Sequence, residues 1–108
     1  MALTQITFFE RFVASILAQT KTITLRNNRE ADFIVGQIIP VSTYETNRQF
    51  ATIRIDRITP VMFHQLSDHH AKQENMNLAE LTQIISEIYP NTQQLYEISF
   101  SLIKHSKE

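Results

Sequence analysis

The side chains able to do chemistry in this sequence are few. There is no cysteine, so thiolate nucleophiles, disulfides and Cys-ligated zinc are excluded. What remains falls into two short segments. Lys21-Thr22-Ile23-Thr24-Leu25-Arg26 offers an amine, two hydroxyls and a guanidinium, and His70-Ala71-Lys72-Gln73-Glu74 offers an imidazole and a carboxylate. His70 and Glu74 stand four apart, a helical spacing that can hold a metal. The set lacks a second histidine on the same face and any cysteine, so no metal site is expected. His64, His69 and His70 read as solvated or capping residues. On spacing alone, Thr22, Thr24 and Arg26 form the wet face of a half-buried strand. Lys21 by itself reads as a surface lysine. Glu74 by itself reads as a helix-surface carboxylate that Lys72 or His70 could pair.

These residues need elements to hold them. Thr7-Phe8-Phe9-Glu10 has the form of a capping box. Phe8, Phe9, Phe12, Val13, Ile16 and Leu17 follow at helical spacing, which predicts a helix over about 8–19. Residues 22–26 alternate with period two and predict a strand with Ile23 and Leu25 on the core. Lys21 and Thr24 are three apart, so an unbroken strand would point them to opposite faces. Lys21 is therefore expected in the turn before the strand. Residues 27–32 read as a loop, and Gly36 as a turn into a strand over about 37–44, with Pro40 marking an edge or a bulge. Asn47-Arg48 reads as a hairpin tip before a strand over about 49–59, which Pro60 is expected to close. Residues 61–66 read as a short helical turn. Asp68 is a candidate cap for a helix to about Asn75, and Asn77 caps an amphipathic helix that Pro90 stops. A last strand is expected over about 95–102, then a polar tail over about 103–108.

The chain has 108 residues, the size of one domain, and 1–108 is read as a single one. Ten basic and eleven acidic residues give a net charge of -1, which argues against holding long nucleic acid by bulk electrostatics. The opening Met1-Ala2-Leu3-Thr4-Gln5 has no basic start, and Glu10 and Arg11 interrupt the apolar run that follows. No signal peptide and no membrane span are expected, and a cytoplasmic protein is the default. Strand runs without regular βαβ alternation predict an α+β fold with a mainly antiparallel sheet, which closure into a small barrel would protect at its edges.

A Lys-x-x-Thr-x-Arg strand after an aromatic-rich first helix resembles the ASCH domain, a PUA-like β-barrel. His70-Ala71-Lys72-Gln73-Glu74-Asn75-Met76 is a second match, and Ile88-Tyr89-Pro90 followed by Leu95-Tyr96-Glu97-Ile98-Ser99-Phe100 is a third. Together they resemble the bacterial N4-acetylcytidine amidohydrolases from about Ile6 to Phe100. Asn27 and Gln37 depart from acidic residues common in that family. The resemblance implies hydrolysis of the acetamide on N4 of cytidine, with Thr24 as nucleophile, Lys21 as proton acceptor and Glu74 as proton donor. A threonine hydroxyl needs such an adjacent base at neutral pH. Lysine in that role needs a pKa well under its reference of about 10.4, which burial or a neighbouring cation such as Arg26 would supply. Arg26, Phe8 and Phe9 are the expected substrate-binding residues, and Phe12 is expected in the core. No cofactor is expected. The expected partner is a small nucleoside. RNA binding by a non-catalytic module is the alternative and is less favoured by the charge; DNA and membrane are not expected. Oligomeric state is left open.

Overall fold

The structure, a computed structural model, describes residues 2–105. Strand β1 (Ile6–Phe8) leads through a 3-10 turn at Glu10–Phe12 into helix α1 (Val13–Leu17). Strands β2 (Ile23–Arg26), β3 (Ile38–Thr43) and β4 (Gln49–Met62) follow. A 3-10 turn at Phe63–Gln65, helix α2 (Asp68–Gln73), helix α3 (Leu78–Ile88) and strand β5 (Gln94–His105) complete the described residues. The five strands form one mixed sheet in the order β1-β3-β4-β5-β2, parallel only between β1 and β3.

The long strands β4 and β5 are its spine. Their register shifts between Thr52 and Ile53 and again between Ile55 and Arg57. Such bulges bend a strand and increase its twist, and the sheet curls into a half-barrel. Its two edge strands share no ladder. They are bridged instead by a side chain: Arg26 on β2 donates from Nη2 to the Thr7 carbonyl of β1 at 2.8 Å. The fold is thus the α+β, mainly antiparallel arrangement expected, closed part-way. Val41, Ala51, Ile53, Ile55 and Ile98 are sealed from solvent on its concave side with Phe8, Phe12 and Phe100. A second cluster, including Leu25, Leu81, Ile85 and Leu95, packs α2 and α3 against the other face.

Several local expectations hold. The Asn77 side chain accepts from the Glu80 N–H at 2.8 Å and the Glu80 carboxylate accepts from the Asn77 N–H at 3.0 Å. Asn47 sits at the β3–β4 hairpin tip with φ of 55°, a left-handed conformation that asparagine tolerates. Pro40 lies one residue before a register shift at Val41/Ser42.

Others are corrected. The first helix is shorter than expected, because Ile6-Thr7-Phe8 forms β1 and pairs with residues 41–43. Ile6 and Phe8 are both buried, so period two wins over the helical stripe in this stretch. The Thr7–Glu10 capping box does not form. The Glu10 N–H bonds the Glu45 carboxylate at 2.9 Å, and the Glu10 carboxylate pairs Arg48 at 3.0 Å. Pro60 does not end β4, which runs to Met62. Past Arg54, β3 no longer pairs with β4, so a proline without an N–H costs no ladder bond there. Val61 and Met62 are therefore strand, and helical geometry is confined to 63–65. Ser67, not Asp68, is the N-cap of α2. The C-terminal strand extends through His105, with Lys104 opposite Thr52, so residues 103–105 are not a tail. Ser106, Lys107 and Glu108 lie outside the described residues.

Candidate active site

The turn after α1 sets the position of Lys21. Gln19 takes a φ of 63°, and the N–H groups of Thr20 and Lys21 both bond the Ser15 carbonyl, at 3.0 and 3.1 Å. Lys21 thus precedes β2, as the parity argument requires. Its side chain turns inward and is 2% exposed. The Nζ donates to the carbonyls of Ile23 and Gln73, each at 3.0 Å, and to Glu74 Oε2. Three acceptors saturate the three hydrogens of an ammonium. The Phe12 ring lies 4.7 Å from Nζ and the Phe8 ring 5.9 Å. Burial pushes the Lys21 pKa down. Glu74 pulls it back by charge and hydrogen bond, and the positive charges of Arg26 and Arg11 lower it further.

Glu74 is carried by the end of α2. Asn75 adopts a φ of 58° and stops the helix, leaving Glu74 as its C-cap. Helix α2 is tied to the sheet at both ends. His70 Nδ1 accepts from the Ser67 N–H at 3.1 Å, so its Nε2 carries the hydrogen and donates to Glu97 Oε1 on β5 at 2.9 Å. Gln73 Oε1 accepts from the N–H groups of Thr22 and Ile23, at 2.8 and 3.2 Å, on the free edge of β2. Neither His70 nor Lys72 takes Glu74. His70 is committed to Glu97 and to its own helix cap, and Glu74 reaches across the fold to Lys21. Among the described residues no group of three or more His, Asp or Glu side chains is placed to hold a metal. No helix there is long and apolar enough to cross a membrane.

Of the face expected to be wet, Thr22 is exposed, Arg26 is half-buried and Thr24 is buried, at 4% exposure. The Thr24 Oγ1 accepts from Arg26 Nε at 3.3 Å. No hydrogen bond joins Thr24 to Lys21 among the described residues. Arg26 lies 5.0 Å over the Phe8 ring. Burial lowers its pKa, opposed by Tyr89, Glu30 and Glu74; it starts so high that it stays a cation.

These groups border a cleft of about 350 Å³ between β1, β2 and α3. Thr24, Arg26 and Glu74 line its buried side, with Phe8, Phe12 and Leu81. Phe9, Tyr44, Glu30, Ile88 and Tyr89 line its outer side. Phe9 is 42% exposed and packs edge-on against Tyr44, with ring centroids 5.4 Å apart. Arg26, Phe8 and Phe9 are thus together in the cleft with Thr24 and Glu74, and Lys21 reaches it through Glu74. A wider hollow beside Arg29, Asp32 and Tyr96 contains none of these residues. Sequence reasoning passed over Tyr44, Glu30 and Gln73 as lining or positioning residues. Glu30 sat in a stretch read as loop, and its contact to Tyr89 spans 59 residues. Only the Ile88-Tyr89-Pro90 match pointed toward that end of the cleft.

The chain has relatives among known proteins. The N(4)-acetylcytidine amidohydrolase of Shewanella baltica is 53% identical over 103 residues, covering 95% of this chain and 98% of that protein. The protein of the same name from Shewanella oneidensis is 54% identical over 101 residues, covering 94% and 97%. Among solved structures, the ASCH domain from Lactobacillus crispatus superposes with a TM-score of 0.74 at 13% identity, over 96% of this chain and 82% of that one. The ASCH protein from Zymomonas mobilis gives 0.67 at 12% identity, over 94% and 70%. These two show the shared fold. No protein-family model matches the chain. Identity above half across nearly the full length of both partners, on an ASCH fold, means that the chain belongs to the N(4)-acetylcytidine amidohydrolase family.

Proposed function

We propose that this chain hydrolyses N4-acetylcytidine to cytidine and acetate, with Thr24 as nucleophile, Lys21 as proton acceptor and Glu74 as proton donor. The observation that carries the reading is the buried Lys21–Glu74 pair beside a cleft that also holds Thr24. An ammonium and a carboxylate in contact share a proton. Its transfer from Nζ to Oε2 makes a neutral amine and a carboxylic acid without changing the proton count. In that form the amine takes the Thr24 proton as Oγ1 bonds the acetyl carbon. The acid protonates N4 as the C–N4 bond breaks. Cytidine leaves, the acetyl group is on Thr24, and the pair is again ammonium and carboxylate. Return to the neutral form prepares the second half. Water attacks the ester, its proton goes to Lys21, Glu74 protonates Oγ1, and acetic acid is released and ionises.

Two features of the resting site suit this course. Arg26 donates to Thr24 Oγ1, which leaves the hydroxyl hydrogen free for removal. Its fixed charge on the cleft wall stabilises the oxyanion that develops on the acetyl group. In the neutral form Lys21 Nζ keeps two hydrogens for its backbone acceptors and turns its lone pair to the Thr24 hydroxyl when substrate is bound; catalytic hydrogen bonds commonly tighten at that stage. A net charge of -1 fits a neutral nucleoside better than a polymer, and a chain without cysteine is in keeping with the cytoplasm.

The test is incubation of the purified protein with N4-acetylcytidine and chromatographic separation of the cytidine released. Lys21→Ala, Thr24→Val and Glu74→Gln are run beside the wild type, with circular dichroism to confirm folding. Each loses at least about a hundredfold in rate, the lower range for loss of an acid, a base or a nucleophile. Full activity in any one removes that residue from its role. No release by folded wild type leaves the cleft as a binding surface for a modified nucleoside.

A further inference from the structure

Glu30 and Tyr89 line the same cleft and take no part in the chemistry above. The Tyr89 hydroxyl donates to Glu30 Oε1 at 2.9 Å. The Glu30 N–H is held by Asn27 Oδ1 at 3.0 Å, which pins the turn that carries it. Burial and the adjacent Glu30 push the Tyr89 hydroxyl up to about 12, so it stays a hydrogen-bond donor at any working pH. Oε1 is therefore occupied. Oε2 has no protein partner among the described residues, and Glu30 is exposed.

The shape of the substrate decides what meets this oxygen. In cytidine the exocyclic nitrogen is on C4 and the sugar is on N1, at opposite corners of the pyrimidine ring. A base whose acetamide reaches Thr24 and Glu74 directs its sugar straight away from them, toward the outer side of the cleft. Of the groups lining that side, only Glu30 offers an ionised acceptor. The adjacent hydroxyls of a ribose are paired donors, which a carboxylate with a free oxygen matches.

We propose that Glu30, held by Tyr89, accepts hydrogen bonds from the 2′- and 3′-hydroxyls of the ribose and so selects ribonucleosides over deoxyribonucleosides and free bases. The inference rests on the hydrolytic reading of the cleft. Glu30 acts here in specificity; it does not touch the reacting atoms.

The experiment compares kcat/KM for N4-acetylcytidine, N4-acetyl-2′-deoxycytidine and N4-acetylcytosine in wild type, Glu30→Gln and Tyr89→Phe. Wild type prefers the ribonucleoside to the free base by roughly ten- to hundredfold, the range for hydrogen bonds to an ionised group. Glu30→Gln lowers kcat/KM for the ribonucleoside by most of that factor and leaves the free-base rate unchanged. Tyr89→Phe moves the same ratio in the same direction by less. An equal fall on all three substrates overturns the proposal, since Glu30 would then act through Arg26 or the turn. So does an unchanged ratio in Glu30→Gln. A wild type active on all three but indifferent to the sugar overturns this inference alone. A wild type inactive on all three overturns the hydrolytic reading and this one with it.

Discussion

Replacing Glu74 with glutamine isolates the charge of the buried pair. The side chain keeps its shape and keeps an oxygen able to accept from Lys21 Nζ, so the hydrogen bond is retained and the negative charge is lost. Lys21 is then a cation at 1% side-chain exposure with only neutral acceptors. Removing one partner of a buried ion pair costs about 3–5 kcal/mol. The Glu74 side chain keeps 18% of its exposure, which places the cost near the lower end, at about 3 kcal/mol. In a domain of this size that lowers Tm by roughly 15 °C and leaves a folded majority at room temperature. The deficit depends on pH. Burial already lowers the Lys21 pKa, and loss of Glu74 removes the influences that raise it. Lysine in the unfolded chain keeps its ordinary value of about 10.4. Between the folded and unfolded values the unfolded state binds more protons, so stability rises with pH. That window opens at lower pH in Glu74→Gln than in the wild type. Urea melts at pH 7 and pH 9.5 measure this: the variant is the weaker at pH 7, and the gap narrows at pH 9.5. A variant as stable as wild type at pH 7, or a gap that does not narrow, refutes the assignment of Lys21 as a buried cation balanced by Glu74.

Gln73→Ala removes the acceptor shared by the Thr22 and Ile23 N–H groups. It costs about 1–3 kcal/mol in a urea melt, and it lowers kcat more than KM rises, because Gln73 fixes the helix end that carries Glu74; a kcat equal to wild type contradicts that positioning role. Asn77→Ala removes the α3 cap and costs about 1 kcal/mol with kcat/KM unchanged, since α3 contributes apolar lining and no reacting group to the cleft.

What the sequence made legible was local. The Asn77–Glu80 box is read from four adjacent residues, and the structure contains it. The three-residue spacing of Lys21 and Thr24 by itself puts the lysine outside β2, and the structure agrees. The errors arose where two patterns share residues or where a partner is distant. Phe8 belongs both to a helical stripe with Phe12 and to an alternation with Ile6, and only β3 decides between them. Pro60 reads as a terminator until one sees that β4 has a single neighbour at that point. Thr24 reads as solvated because strand alternation does not reveal that its face, shared with Ile98 opposite, lies inside the half-barrel. The Lys21–Glu74 contact spans 53 residues. Local reasoning gave Glu74 to His70 or Lys72; only the family resemblance joined it to Lys21. Glu30 carried no signal, because its meaning depends on Tyr89 and on the cleft they share.

The most direct test of the account is the pH dependence of kcat/KM for N4-acetylcytidine in the wild type. The reacting form is the Lys21–Glu74 pair carrying a single shared proton. Activity therefore falls at low pH, where the pair takes up a second proton, and again at high pH, where it loses the one it shares. The expected profile is a bell whose alkaline limb has its midpoint below the ordinary lysine value of about 10.4. Absence of cytidine release, or a rate that climbs through that value without an alkaline limb, contradicts it.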